Sequence, residues 1–443
     1  MRIPRVFSSC SVLMLLIAAV ASSAERPIIP ATLTLRQAIE IALAQSPSLL
    51  AAMTRVEQAQ AQARRGRSPL LPQISIEAYE SGQTANLKAL GIDTPLFRLY
   101  TDPFETFDAR LVFSQDIVNA LALRRFQALS QGVQTWSQRV KDTRDTVILA
   151  TIEAYLAASR DVAYRKVVSG QLKLAADLLE LNQSRFRQGV GSALDVNRAT
   201  QEWNRLRELQ MEADGATSTA KLNLANVIHA QPSDAFEPED ISALPEPVVP
   251  KREEAVSTAL QSRADYQAAQ TQVRNAELSI RVASAGRLPV LRIRADAGFN
   301  GNNPTSGIAT YRLFGLVSIP IFTGGAISAE VDEARSKANE SRILADEIQA
   351  KVESEVLIAL AELDTATRRT AITQESVRLA QEELDLALQR LKSGVADNVD
   401  VVTAQGHLLL AENDKLQNAF AVRLRGAQLS RAQGSLEPAG NRP

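Results

Sequence analysis

The chain has 443 residues, with 49 Lys plus Arg against 50 Asp plus Glu and a net charge of −1 at pH 7. That balance excludes a protein built to hold nucleic acid, which needs a basic surface. A single cysteine, Cys10, and two histidines, His229 and His407, exclude thiolate and multi-histidine metal sites.

The first 24 residues read as a signal peptide. Arg2 and Arg5 precede a short apolar run, Val12 to Val20, which cannot span a bilayer. Ser22-Ser23-Ala24 offers the small residues a signal peptidase reads, so cleavage is expected after Ala24. No later segment has 18 consecutive apolar residues, so no transmembrane helix is expected. The mature protein is then either soluble outside the cytoplasm or crosses a membrane as β-strands.

Residues 25–230 form a first repeat: a helix, strands at 73–81 and 105–117, and a helical hairpin at 120–230. After Pro72 the period becomes alternating, with Ile74, Ile76 and Ala78 set against Ser75, Glu77 and Tyr79. No proline occurs between Pro103 and Pro232, which permits very long helices. A helix from 120 to 188 would be roughly 100 Å long at 1.5 Å per residue. Gly189-Val190-Gly191 breaks it with helix-stop chemistry, and a shorter helix runs back. Residues 231–250, rich in proline, read as a linker.

Residues 251–435 repeat the pattern: a helix, strands at 290–300 and 310–321, and a hairpin at 325–433 broken at Gly394. A tail, 436–443, ends the chain. Residues 38–76 align with 255–293 without a gap, Leu71-Pro72 falling on Leu288-Pro289. Arg185 to Val190 aligns with Arg390 to Val395, and Asp195-Val196 with Asp400-Val401. In the second hairpin Val356, Leu363, Thr370, Val377, Leu384 and Leu391 recur every seven residues, with Ala359, Ala366, Thr373, Ala380 and Ala387 between them. Large and small residues alternating at a and d spacing make a close coiled-coil seam.

Strands of about ten residues with one apolar face suit an outer-membrane barrel, and equally two hairpins on a soluble sheet. Four strands cannot close a membrane barrel, since about eight is the smallest. An open edge in lipid has no water to pair with. If these strands cross a membrane, several chains must supply one barrel, and Arg292, Arg294 and Asp296 would line a wet lumen. The competing reading is a soluble periplasmic coiled-coil adaptor or scaffold. No phosphate loop, nucleophile elbow or metal motif occurs, so neither an enzyme nor a cofactor is expected.

The duplicated order resembles the TolC-type outer-membrane efflux proteins over essentially the whole mature chain. The most specific marks are Arg-Phe-x-x-Gly-x-x-Ser-x-x-Asp-Val from Arg185 to Val196, its second copy from Arg390 to Val401, and Ser318-Ile-Pro-Ile-Phe-Thr-Gly-Gly325 at a strand-to-helix junction. The resemblance implies a mainly α fold with a β-barrel part: duplicated long helical hairpins forming a coiled-coil cylinder, four membrane strands per protomer, and a homotrimeric twelve-stranded barrel. It implies a passive exit duct of a tripartite efflux or type I secretion system, in the outer membrane of a Gram-negative cell with a long periplasmic portion. The implied partners are outer-membrane lipid, a periplasmic adaptor and an inner-membrane transporter. Adaptor contact would fall on the turns Gly189-Val190 and Gly394-Val395. The family's acidic entrance falls on Asp195 and Asp400. The sequence departs from some members at Leu391, Ala396 and Thr403, where they carry an aromatic, a base and a second entrance acid. Asp195 and Asp400 also fit plain first-turn acids, favoured by the positive helix end.

Overall fold

The computed structural model describes residues 26–89, 91, 100–240, 246–393 and 398–436. The expected signal segment 1–24, the turn residues Gly394, Val395 and Ala396, and nearly all of the tail lie outside them. In chain order the elements are β1 (Thr32–Leu33), α1 (Leu35–Gln45), α2 (Pro47–Arg67), β2 (Gln73–Gln83), β3 (Phe104–Asn119), α3 (Ala120–Arg187), α4 (Ala193–Val227) and β4 (Glu237–Pro238). Then come α5 (Arg252–Ser262), α6 (Ala264–Ala285), β5 (Val290–Gly301), β6 (Ile308–Ser318), α7 (Ala326–Lys392) and α8 (Asn398–Ala432).

Side chains set where the helices begin. Thr34 and Gln37 form a capping box on α1, Ser46 caps α2 ahead of Pro47, and Asn119 accepts from the Ala122 amide to start α3. Each of these satisfies an otherwise orphaned amide. α3 and α7 have 68 and 67 residues. The seven-residue repeat of α7 is its buried seam: Val356, Leu363, Leu384 and Leu391 are buried, as are Ala359, Ala366, Thr373, Ala380 and Ala387. They pack on Val401, Ala404, Leu408, Val422 and Leu429 of α8. The α3–α4 pair is joined by Val168, Ala175, Leu206 and Ala213.

At mid-height α1, β1 and β4 wrap α3. Leu33, Ile39, Ile148, Tyr155, Leu224 and Phe236 form the largest core. Tyr155 is its anchor. Its hydroxyl donates to the Leu33 carbonyl (2.9 Å) and accepts from the Glu239 amide (3.0 Å). Burial pushes the phenol up to about 12. Tyr155→Phe removes both bonds inside a dry core, though the Glu239 amide keeps Leu33 as a second acceptor. A cost of about 1–2 kcal/mol is expected, read as a lowered thermal midpoint by circular dichroism.

The four long strands form one antiparallel sheet in the order β2-β3-β5-β6. The central pair, β3 with β5, joins the two halves of the chain. β6 ends at Ser318. Pro320, two residues on, has no amide to donate to a ladder. No helix among the described residues is long and apolar enough to cross a membrane.

Candidate functional site

The sheet has two unlike faces, and the register shows which residues share them. Ile74, Phe113, Ala295 and Leu313 align across the four strands, as do Ile76, Leu111, Ala297 and Tyr311 two residues away. These side chains belong to one apolar face. Ile76 and Tyr311 are 80% and 82% exposed, a cost in water that lipid removes.

The opposite face carries charge. Arg110 reaches Asp108 at 2.6 Å and Asp296 at 2.8 Å. Arg312 meets Asp296 from the other side at 3.1 Å, Arg292 meets Asp116 at 2.5 Å, and Arg294 stands 3.6 Å from Glu77. Arg110 is on β3 and Asp296 on β5, so the two repeats are tied through this face. Both expected lumen arginines and Asp296 are on it. Sequence reading placed them there by alternation but had no signal for the ion pairs, among them Arg110 with Asp296, 186 positions away.

At the far end of the helices are the tips. Gly189 has φ +73°, a left-handed conformation that glycine takes freely. The Val190 and Gly191 amides fold back onto the Arg185 carbonyl at 3.0 and 3.1 Å and close α3. Val190 is left 67% exposed at the apex. Ser192 then caps α4, and Asp195 completes the box. Its amide donates to Ser192 Oγ (3.2 Å), and its carboxylate accepts from the Ser192 amide (3.4 Å) and hydroxyl (2.7 Å). Asp195 is thus a half-buried first-turn acid. Asp400 sits in the first turn of α8, exposed, 3.6 Å from Arg390. An exposed pair of this length contributes little to stability. Thr403 is exposed on the same helix, one turn further on.

The structure clamps the two tips together in a way the sequence did not reveal. Arg185, in the last turn of α3, donates to the Leu391 carbonyl of the other hairpin at 3.0 Å. Asn398, 1% exposed, donates to the Asp195 carbonyl at 3.2 Å. Gln405, seven residues later, donates to the Gln171 carbonyl at 2.8 Å. The only sequence signal is polar amides at heptad spacing on α8, where apolar residues would be ordinary.

Comparison with known proteins agrees with this geometry. The family model described as outer membrane efflux protein matches twice, at residues 38–228 and 255–435. The outer membrane efflux protein BepC of Brucella suis is 25% identical over 350 residues, covering 72% of this chain and 74% of that protein. Protein CyaE of Bordetella pertussis is 25% identical over 417 residues, covering 91% and 84%. The Campylobacter jejuni CmeC outer membrane channel superposes with a TM-score of 0.75 at 18% identity, over 92% of this chain and 87% of that one. The soluble adaptor reading therefore falls away. The chain belongs to the outer membrane efflux protein family: it is a non-enzymatic exit duct of the outer membrane, with a long helical portion in the periplasm.

Proposed function

We propose that three copies of this chain share one twelve-stranded barrel, and that their α3–α4 and α7–α8 hairpins continue it as a hollow periplasmic cylinder. The observation that carries the reading is the sheet: four strands, apolar on one face, ion-paired on the other, with β2 and β6 bare at its edges. Bare edges are not viable in lipid, and four strands are too few to close. The tips then meet a periplasmic adaptor at Gly189-Val190 and at Gly394-Val395, and the adaptor joins the duct to an inner-membrane transporter. Three copies of Asp400, with Asp195 and Thr403 nearby, ring the periplasmic entrance, where like charges attract cations.

The test is the purified protein in detergent, imaged by cryo-microscopy. A threefold hollow particle is expected; a lone monomer sinks the proposal. The tips have their own test. Gly189→Trp puts a large side chain at an exposed turn with nothing within 4 Å of its first carbon. The left-handed backbone adds a strain of about 1–2 kcal/mol, which a long packed hairpin absorbs. Normal levels of membrane-inserted trimer are expected, with cells as drug-sensitive as a strain lacking the duct. Wild-type resistance in cells holding only this variant would remove the turn from the docking surface.

A further inference from the structure

A cleft runs along α3 between α2 and α6, immediately below the sheet. Its upper part, about 510 Å³, is lined by Arg65, Pro69, Leu121, Arg125 and Leu129. Its lower part, about 200 Å³, is lined by Thr135, Trp136, Arg139 and Asn275. Gln62 and Leu129 line both parts, which makes them one groove. The groove opens on the charged side of the sheet. Asn119, at its upper end, donates to Asp116 of that face at 2.8 Å.

Three features point to a ligand. No carboxylate lines either part, and Arg65, Arg125 and Arg139 have no ion pair among the described residues. The Arg139 guanidinium lies over the Trp136 ring at 4.7 Å, with that of Arg55 at 5.7 Å, making a flat cationic wall. Thr135 is 5% exposed, and its hydroxyl has no partner. Thr143, Thr146 and Thr151 on the same helix all donate to the carbonyl four residues back, at 2.9, 2.9 and 2.8 Å. The Asn275 side-chain oxygen in the same cleft is also unpartnered.

We infer that this groove is a binding station on the cargo path for small molecules that join an aromatic ring to a carboxylate or sulfonate. The arginines take the anion through charge-assisted hydrogen bonds. Leu121, Leu129, Pro69 and the Trp136–Arg139 wall take the ring. Thr135 and Asn275 supply the remaining polar contacts. The inference rests on the duct reading, because only in a duct does the charged side of the sheet face what passes through.

Calorimetric titration of the purified full-length protein with naphthalene-2-sulfonate tests it, alongside inorganic sulfate and neutral 2-naphthol. The double substitution Arg125→Gln with Arg139→Gln changes two exposed side chains that make no ion pair among the described residues. Saturable sulfonate binding to the wild type is expected, weakened roughly tenfold in the double variant. Arg125→Lys with Arg139→Lys should recover most of the affinity, and 2-naphthol should not distinguish the three proteins. Equal sulfonate binding by the wild type and the Gln variant overturns the inference. So does sulfate binding as tightly as the sulfonate, which would leave the ring without a role. Particle symmetry and bilayer conductance are read on the same preparation. A conducting trimer that fails these titrations sinks only the groove, whereas a non-conducting monomer sinks the duct reading beneath it.

Discussion

Gly298→Val is expected to leave almost no trimer in the outer membrane. Gly298 pairs with Arg110 where β3 and β5 bring the two halves of the chain together. A side chain there has no room. Its first carbon would lie 2.0 Å from the Ala109 carbonyl oxygen and 2.7 Å from the Arg110 Cα. Both are backbone atoms of a paired strand, which cannot swing aside as a side-chain tip does. The strands must separate, and the contact from Arg110 of β3 to Asp296 of β5 goes with them. Ladder groups opened inside a membrane find no water. Gly315→Val is the matched control, because the first carbon at Gly315 meets nothing within 4 Å. Immunoblots of outer-membrane fractions, run unheated to keep trimers intact, read both. Equal bands for the two variants would mean that the close approach at Gly298 does not constrain the sheet.

Arg263→Ala is expected to cost about 2–3 kcal/mol. Arg263 sits at the corner between α5 and α6, its side chain 3% exposed. It donates to Asp265 at 3.0 and 2.6 Å and to Glu355 of α7 at 2.6 Å. Removing one partner of a buried pair leaves the others as uncompensated charge, typically about 3–5 kcal/mol. Glu355 is partly exposed, and water there reduces the loss. The effect should depend on pH in a defined sense. Burial alone would raise Asp265, but the hydrogen bonds and charge of Arg263 outweigh it and hold the carboxyl below the usual range. Its contribution is therefore present above about pH 4, the unfolded value, and is lost as pH falls through the lower folded value. In the variant only the Tyr266 amide and the charge of Arg431 still oppose burial, so Asp265 loses most of what holds its carboxyl low. The gap in thermal midpoint between wild type and variant should narrow on acidification. A gap that widens toward low pH would show that Asp265 is not the linked group. Nearby Asp142 and Asp145 are raised, chiefly by burial. Asp142 also loses the lowering charge of Arg263 in the variant, which acts in the same sense as the change at Asp265.

The legible and illegible parts of the molecule differ by a physical rule. Repeating features could be read. Leu363 and Leu384 are core because a seam between two helices repeats every seven residues. Ile76 and Arg294 fall on opposite faces because a strand alternates. The mainly helical class with a four-stranded sheet follows from these two periods. What could not be read are contacts with no period. Arg185 binds a backbone carbonyl 206 positions away, and every residue carries such a carbonyl, so nothing in the local sequence marks the partner. Asp195 illustrates the intermediate case. Its place after Ser192 fits a capping box, and the carboxylate does close that box, while its place in the aligned turn says nothing about what else it faces. The groove beside Trp136 draws residues from three helices at unrelated spacings, and no motif search would gather them.

The bare outer strands of the sheet also have a genetic consequence. In the three-copy wall proposed here, a subunit that inserts normally but fails at its tip, such as Gly189→Trp, will co-assemble with sound neighbours. At equal expression only about one particle in eight would contain sound subunits alone, since each particle draws three subunits at random. The allele should therefore act dominantly, in proportion to its dose, whereas one that abolishes strand pairing should be recessive.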